Sequence, residues 1–365
     1  MLRYRTGLNI AAEMANGASK RGTGARGATI IDVAAHAGVS AMTVSRVINN
    51  HESVRPDTRA AVERSIKALS YAPNVAARSL VTSAELRIGV IYSNPSAAFM
   101  SEFLTGIFEE ASVRGARLIL VKGENGHPPS AAKLDKLRDA GLSGVILAPP
   151  LGESRQVLAA LENMSFPLVA IGAHQSPQAL CVRIDDRRAA YEMTQHLLEE
   201  GHRRIGFVLG NPDTIATTER HAGFSAACAE VLGVSTLISQ GDFSYASGLR
   251  AGEELLDAAV PPTAIFASND DMAAAIVSVA HRRQLDVPRG LTVVGFDDTT
   301  AAVTLWPPLT TVHQPLRLLA ADAVAALATA GQTGEHRWRN RRDRILKHAI
   351  VRRQSTAAPP SSSPA

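Results

Sequence analysis

The 365-residue chain contains only two cysteines, Cys181 and Cys228, which have neither metal-ligand spacing nor a disulfide pattern. We therefore expect both thiols to be reduced and buried, as in a cytoplasmic protein. No apolar run approaches the roughly 18 to 20 residues that span a bilayer. The first 28 residues also lack the apolar segment of a signal peptide. The sequence thus disfavours a membrane-spanning or exported protein.

Catalytic signatures are also missing. The sequence has no Walker loop, no G-x-G-x-x-G motif and no G-x-S-x-G motif. His174, His221 and His313 show no metal-ligand spacing. The acidic pairs Asp185-Asp186 and Asp297-Asp298 are expected at strand ends in separate places, and we interpret them as caps rather than as catalytic groups. The sequence therefore predicts a binding protein, not an enzyme, with no metal and no cofactor.

Positive charge is concentrated near the N-terminus. Residues 1–83 contain 11 Lys and Arg against 5 Asp and Glu, whereas the remaining residues contain 27 against 29. A basic end on a slightly acidic body suits contact with nucleic acid. A basic disordered tail is the alternative, because Lys20, Arg21 and Arg26 lie in Gly-rich sequence, but the segment stays positive without them.

Both ends of the chain have compositions typical of disorder. Residues 1–28 are rich in Gly, Ala and Ser, and Met14 is a possible true start. Residues 354–365 are rich in Pro and Ser. We expect both segments to be disordered.

Three short helices are predicted between these ends and the main body. Thr29 and Asp32 have capping-box spacing, Gly38 ends the first helix, and Ser40 is placed to cap a second helix at 41–49. A third helix is predicted at 56–69. A helix, a turn containing Gly and a helix with a polar outer face are typical of helix-turn-helix DNA-binding proteins. A plain helical hairpin would show the same pattern.

From residue 86 short apolar runs alternate with amphipathic segments. The runs cover 87–92, 117–122, 144–149, 167–172, 204–210, 263–269 and 291–298. This alternation predicts an α/β fold with doubly wound parallel sheets. There are too many strands for one sheet of the usual size, which favours two lobes with a ligand cleft between them. Ligands lie beyond the carboxyl ends of such strands, so the candidates are Ser93, Asn94, Pro149, Gly172, Ala173, Asn211, Asn269, Asp270, Asp297 and Asp298.

The stretches DVAAHAGVSAMTVSRVIN (32–49) and VRPDTRAAVERSIKALSYAPNVAARSL (54–80) resemble the headpiece of the lactose/galactose repressor (LacI) family of bacterial transcription regulators. The resemblance continues to about Arg353. It implies a headpiece at 29–73, a hinge helix with linker at 74–85, and an effector-binding and dimerisation domain at 86–353.

This domain would have the type I periplasmic-binding-protein fold, with two lobes and three crossovers. The implied first lobe contains 86–184 and 314–336, and the second contains 185–313 and 343–353.

The resemblance also implies which headpiece residues contact DNA. The start of the second helix would read bases in the major groove, and Arg46 could bind guanine through two hydrogen bonds. Arg55 replaces the family's usual serine before proline, so the third helix loses its normal cap. The implied base-reading residues are Ala41, Met42 and Arg46, and the implied phosphate contacts are Thr43, Ser45 and Asn49.

The hinge segment is too short to form a stable helix alone. The resemblance implies that it folds when paired with its dimer mate in the minor groove. Leu80 would wedge into the central base step, and Ala77 and Arg78 would lie along the groove. A core position in the adjoining domain is the alternative for Leu80.

For the cleft, the resemblance implies an effector, expected to be a small saccharide. Arg and Asp would bind sugar hydroxyls, and an aromatic ring would cover the apolar face. Ordinary structural roles remain open, since Asp270 could cap a helix, Arg220 could pair at the surface and Phe243 could be core. The lactose repressor has an acidic residue in place of Gly172, which argues against an identical sugar. The implied contacts are Ser93, Arg220, Phe243, Asp270 and Gln314.

The sequence therefore predicts a cytoplasmic homodimeric repressor of carbohydrate-utilisation genes, bound to near-palindromic operator DNA and controlled by a saccharide. The tail has no leucine heptads, so no tetramer-forming coiled coil is expected. One alternative is a regulator with a purine or nucleoside as corepressor, which would stack on Phe243. Another is a solute-binding protein or carbohydrate enzyme with an incidental helical N-terminus.

Overall fold

The computed structural model describes residues 29–48, 54–69, 85–123, 129–138, 140–162, 166–174, 176–333 and 343–360. The chain forms two compact units, divided between Ala84 and Glu85. The predictions for residues 1–28, for Asn49, for most of the hinge segment, including Ala77, Arg78 and Leu80, and for residues 361–365 lie outside the described residues.

The described part of the smaller unit consists of three helices. They are α1 (Ile30–Ala37), α2 (Ala41–Ile48) and α3 (Pro56–Ala68). The capping box of α1 is present, because the Thr29 hydroxyl accepts from the Asp32 amide at 3.3 Å and the Thr29 amide donates to the Asp32 carboxylate at 2.7 Å. Gly38 ends α1 with a left-handed φ of 66°, and Ser40 accepts from the Thr43 amide. These contacts confirm the predicted turn between α1 and α2.

A small apolar core joins the three helices. Its buried residues are Val33, Ala34, Val44, Val47 and Val62. No side chain caps α3, as the sequence predicts. Because α2 packs through its two valines, its opposite face is left at the surface.

The larger unit has two lobes, each with a six-stranded sheet covered by helices. The first sheet has the order β11-β5-β4-β3-β1-β2 and all its pairs are parallel. Its elements are β1 (Arg87–Tyr92), α4 (Ala97–Arg114), β2 (Arg117–Lys122), α5 (Ala131–Arg138), β3 (Gly144–Leu147), a 3-10 turn (Leu151–Glu153), α6 (Arg155–Glu162), β4 (Leu168–Ile171), β5 (Ala179–Arg183), α12 (Leu316–Thr333) and β11 (Arg344–Ile345).

The second sheet has the order β12-β10-β9-β8-β6-β7, and only the β10–β12 pair is antiparallel. Its elements are α7 (Asp186–Glu199), β6 (Arg204–Leu209), α8 (Ile215–Ala229), β7 (Ser235–Gln240), α9 (Tyr245–Leu256), β8 (Ala264–Ala267), α10 (Asp270–Arg282), β9 (Thr292–Asp297), α11 (Thr300–Thr304), β10 (Thr310–His313) and β12 (Ala349–Val351).

The chain passes between the lobes three times, at 184–185, 314–315 and 346–348. The predicted lobe boundaries are correct for the first two crossovers but wrong for the third. Residues 343–353 were assigned to the second lobe, yet β11 pairs with β5, with Arg344 opposite Val182. The chain therefore completes the first sheet before it crosses for the last time.

The sequence prediction of strands missed β5, β7 and β10. Strands β5 and β10 are short, with five and four residues. Strand β7 is an edge strand with five of its six residues exposed, so it lacks the apolar run by which the other strands were identified.

The prediction of a disordered tail from residue 354 was wrong for 354–360. The Ser355 hydroxyl is buried and donates to the Val293 carbonyl at 2.6 Å, and the Val293 amide donates to the Ser355 carbonyl. Strand β10 begins opposite Val294, so the start of β9 has backbone groups that β10 does not pair. The tail supplies their partners.

Candidate functional site

A cavity of about 520 Å³ lies between the two lobes, at the carboxyl ends of their strands. Residues from both lobes and from two crossovers line it. The strand-end rule identified six of the lining residues, namely Asn94, Pro149, Gly172, Asn211, Asn269 and Asp297. The cavity has the size of a small-molecule site.

Arg220, on α8, is the central cation of the cavity. Its side chain is buried, and its Nε donates to Asp186 at 2.8 Å while Nη1 donates to the Ser268 carbonyl at 2.5 Å. Its guanidinium lies 3.6 Å from the centre of the Phe296 ring. These contacts fix its orientation. Arg220 therefore lines the cavity as predicted, whereas Asp186 was interpreted as a cap and instead binds this arginine.

Phe243 also lines the cavity, with a left-handed φ of 70°. The Asn269 side-chain amide donates to the Phe243 carbonyl at 2.9 Å. A Cβ on Gly210 would lie only 2.0 Å from the Phe243 ring, so this glycine makes room for it. The ring centre is 5.8 Å from the Arg220 guanidinium. The site thus combines an aromatic surface with a fixed cation.

Asp297 is one of the aspartates that line the cavity; the strand-end rule included it, although its acidic pair is interpreted as a cap. It is the last residue of β9, with a φ of 112°. Its carboxylate accepts from Gln314 Nε2 at 2.6 Å and lies 3.9 Å from Arg220 Nη1. Burial raises the pKa of this carboxyl well above its usual value, the positive charge of Arg220 opposes the rise, and the neighbouring Asp270 reinforces it. Gln314 lines the cavity, as predicted.

The predicted contact between Asp270 and an effector stays a prediction. Asp270 is fully buried outside the cavity wall, where it accepts from the Thr299 amide at 2.7 Å and from the Thr311 hydroxyl at 2.6 Å. Burial raises its pKa despite these bonds. The helix cap proposed as its alternative role belongs to Asn269. Through its two threonine partners, Asp270 joins the segment that follows β9 to the start of β10.

Ser93 is buried next to the cavity residue Asn94 but is not part of the lining. Its hydroxyl has no hydrogen-bond partner among the described residues. The predicted contact between Ser93 and an effector stays a prediction.

Glu153 is a cavity residue that sequence reasoning missed. It lies in the 3-10 turn of the first lobe, and its carboxylate accepts from the backbone amide of Ile215 in the second lobe at 2.6 Å. Burial raises the pKa of Glu153 to about 7, the bond from Ile215 lowers it, and Asp186 raises it. No strand ends at this position, so the sequence pattern gave no signal for it.

The exposed face of α2 is the candidate DNA interface. Ala41, Met42 and Arg46 are exposed, and the Met42 side chain is 66% accessible. Thr43 and Ser45 are half-buried beside them. The structure thus places the predicted base-reading residues together on one helix surface.

Among the described residues, no group of three or more His, Cys, Asp or Glu side chains is arranged to hold a metal ion. Within the same parts of the chain, no helix combines the length and apolar character needed to cross a bilayer.

A helical headpiece followed by a two-lobed domain with an internal cavity defines a class of ligand-controlled DNA-binding proteins. Models of protein families match both parts. Residues 29–74 match "Bacterial regulatory proteins, lacI family", and residues 194–356 match "Periplasmic binding protein-like domain".

Characterised relatives cover most of the chain. The transcriptional regulator DegA of Bacillus subtilis is 34% identical over 90% of this chain and 98% of its own length. CelR of Thermobifida fusca is 37% identical over 84% and 92%, and the repressor PurR of Photorhabdus laumondii is 34% identical over 82% and 89%.

Solved structures agree with these relatives. A complex of the regulator CelR with cellobiose has a TM-score of 0.65 at 31% identity, and covers 90% of this chain and 99% of that one. The lac repressor dimer bound to operator and to the anti-inducer ONPF has a TM-score of 0.66 at 28% identity, with 91% and 100% covered. The chain belongs to the LacI family and is a DNA-binding transcription regulator.

Proposed function

We propose that this protein is a cytoplasmic homodimeric repressor of carbohydrate-utilisation genes, and that a small saccharide bound between the lobes controls its affinity for operator DNA. It acts by binding and not by catalysis. The observation that supports a saccharide is that the Phe243 ring and the fixed Arg220 and Asp297 groups line one cavity. The ring covers an apolar sugar face, and the charged groups bind hydroxyls.

The relatives support the same ligand class, because one solved complex of CelR holds cellobiose. PurR relatives support the alternative of a purine corepressor, for which Phe243 would stack on the base. The two ligands differ in what Asp297 must bind, since a sugar offers several hydroxyl donors around its ring.

Thermal melting against mono- and disaccharides and purines tests this proposal. A ligand at a hundred times its dissociation constant stabilises by about 2.7 kcal/mol. We expect a saccharide to raise the melting temperature and Phe243→Ala to weaken its binding by about ten-fold or more, through lost apolar contact. Tyr245→Phe is the control, because Tyr245 lies two residues away outside the cavity and bonds Ser278. Stabilisation by purines alone would contradict the saccharide.

For DNA binding, we propose that Ala41, Met42 and Arg46 read bases, and that Thr43, Ser45 and Asn49 bind phosphates. Binding to the DNA upstream of the protein's own gene should weaken as salt rises. Arg46→Ala should cost about 1–3 kcal/mol of binding free energy, measured by fluorescence anisotropy. Arg64→Ala, on the exposed side of α3, should cost much less. Equal losses in the two variants would contradict base reading by Arg46.

The hinge residues Ala77, Arg78 and Leu80 remain proposed minor-groove contacts. If Leu80 wedges into the duplex, Leu80→Ala should weaken operator binding while leaving the fold intact. Unchanged operator affinity in that variant would contradict the wedge.

Dimerisation is supported by two sheet edges that end in partly apolar strands. Leu120 on β2 is 43% exposed, and Leu237 and Ile238 on β7 are 37% and 40% exposed. Uncovered edge strands of this kind favour association, and the related lac repressor was solved as a dimer on operator. Light scattering should give twice the chain mass, and Leu120→Lys should shift the population towards monomer.

A further inference from the structure

We infer that the cavity takes an uncharged ligand, and that Glu153 is the specificity-determining residue that excludes its phosphorylated or carboxylated counterparts. This rests on the proposed function, which makes the ligand a saccharide. The inference follows from the charges that line the cavity, from their partners, and from the contact that Glu153 makes between the lobes.

Acidic side chains outnumber basic ones around the cavity. The described lining residues include two arginines and no lysine or histidine. The acidic members of the lining are Glu153, Asp186, Asp213, Asp242 and Asp297. An anionic ligand would therefore enter a region of like charge.

Both arginines are already committed to protein groups. Arg220 binds Asp186 and the Ser268 carbonyl. Arg183 donates from Nε to Asp343 at 2.9 Å and from Nη1 to its neighbouring carbonyl, that of Ile184. A phosphate on the ligand would compete with these carboxylates for the charge of the two guanidinium groups, and a carboxylate that lost its arginine would be left without its partner.

The helix N-termini at the cavity, which could bind an anion, are also occupied. At the start of α8, the Ile215 amide donates to Glu153, and the Thr217 amide donates to the Thr214 hydroxyl. Asn269 caps α10 and Ser96 caps α4 in the same way. Glu153 thus holds, from the opposite lobe, the place that a ligand phosphate would take.

Negative charge is already unfavourable here in the absence of any ligand. Burial raises the pKa of Glu153 to about 7, the Ile215 amide opposes this, and Asp186 adds to it. Burial likewise raises the pKa of Asp297, against the effect of Arg220. A neutral polyol can donate its hydroxyls to these carboxylates, whereas an anion adds to their repulsion.

Calorimetric titration of the full chain with matched sugars tests the inference. The pairs are glucose with glucose 6-phosphate, glucose with glucuronate, and cellobiose with its 6-phosphate. In each pair that binds, we expect the neutral sugar to bind at least about ten-fold more tightly than its anionic partner. Glu153→Gln keeps an oxygen for the Ile215 amide but removes the charge, so it should narrow that ratio several-fold.

Asp213→Asn is the matched control. It removes one charge from an exposed position in the same lining and should narrow the ratio less than Glu153→Gln. An anionic sugar that binds the wild type as tightly as its neutral partner would overturn the inference. Equal narrowing in the two variants would show that overall charge, and not Glu153, is responsible.

If none of these sugars binds, the saccharide proposal fails. The role of Glu153 in excluding anions is then tested with inorganic phosphate. Hydrogen exchange of residues 213–218 should be unaffected by millimolar phosphate in the wild type. Glu153→Ala, which frees the Ile215 amide, should gain protection while its circular dichroism stays unchanged. Protection in the wild type, or no gain in a folded Glu153→Ala variant, would overturn the role of Glu153.

Discussion

The two lobes contribute different chemistry to the cavity. The second lobe supplies an interlocked set of charged side chains centred on Arg220, with Asp186 and Asp297 on either side. The first lobe supplies mainly apolar and small residues, including Pro149, Pro150, Phe99 and Ile171. Its charged members of the lining are Glu153, which bonds to the second lobe, and Arg183. One lobe is therefore built for polar recognition, and the other covers it.

This asymmetry has a physical cause. Buried charges are tolerated only when they are paired and hydrogen-bonded, so a recognition network is most stable when its members share one rigid lobe. Contacts between lobes must break and form as a cleft opens and closes. The hydrogen bond that Glu153 accepts from the Ile215 amide is a single contact, so it can break and form as the lobes move.

The largest expected effect comes from breaking the network of the second lobe. Arg220→Met should destabilise the protein by about 3–5 kcal/mol, because Asp186 and Asp297 would lose their buried cation. Urea denaturation measures this loss. Arg188→Met is the control, since Arg188 is 59% exposed and pairs with Glu192 at the surface, where an ion pair contributes little to stability. Similar losses for both variants would mean that the network does not stabilise the lobe.

The next effect concerns the link between the lobes and depends on pH. Folding raises the pKa of Glu153 from 4.5 to about 7, so the folded protein binds this proton more tightly than the unfolded chain. Its stabilising contribution is complete below pH 4.5 and is lost as pH rises through 7. At about 1.4 kcal/mol for each pKa unit, the loss amounts to about 3 kcal/mol at most.

Comparing wild type with Glu153→Gln isolates this contribution from those of other buried acids. Between pH 4.5 and 7, the unfolding free energy of the wild type should fall relative to that of Glu153→Gln. Asp213→Asn, at an exposed position of the lining, controls for the loss of one acidic side chain from the cavity. A Glu153→Gln profile parallel to that of wild type would show that Glu153 is not held in an unfavourable environment.

Much of the fold follows from local sequence pattern, and so do several cavity positions. Apolar runs locate most strands, and the residues after them include Asp297, because strand ends meet at one edge of a sheet. The same rule could not separate Asp297 from Asp270, since both follow strands. Which one faces the cavity depends on backbone direction at the strand end, and Asp297 takes a left-handed φ.

Other features depend on contacts between segments distant in sequence. Glu153 is identified only once Ile215 is placed opposite it, 62 positions away in the chain. The buried Ser355 is identified only once the start of β9 is known to lack a neighbour from β10. Composition alone predicts a disordered tail, because it contains no information about the unpaired backbone groups of β9 that the tail binds.

The smallest expected effect compares two buried serines, one in each lobe, that directly follow a strand. Ser268, after β8 in the second lobe, donates to the Val208 carbonyl at 2.6 Å. Ser93, after β1 in the first lobe, is buried with no partner among the described residues. Ser268→Ala should therefore cost about 1 kcal/mol. Ser93→Ala should be neutral or slightly stabilising, because it removes an unsatisfied hydroxyl.

Thermal and urea unfolding of the ligand-free variants measure this contrast, and sugar titration extends it. If Ser93→Ala is neutral in stability but weakens sugar binding, its hydroxyl is reserved for the ligand and the first lobe contributes more to recognition than its lining indicates. If it is neutral in both, polar recognition belongs to the second lobe together with Glu153. A loss of stability as large as that of Ser268→Ala would contradict the absence of a partner for Ser93.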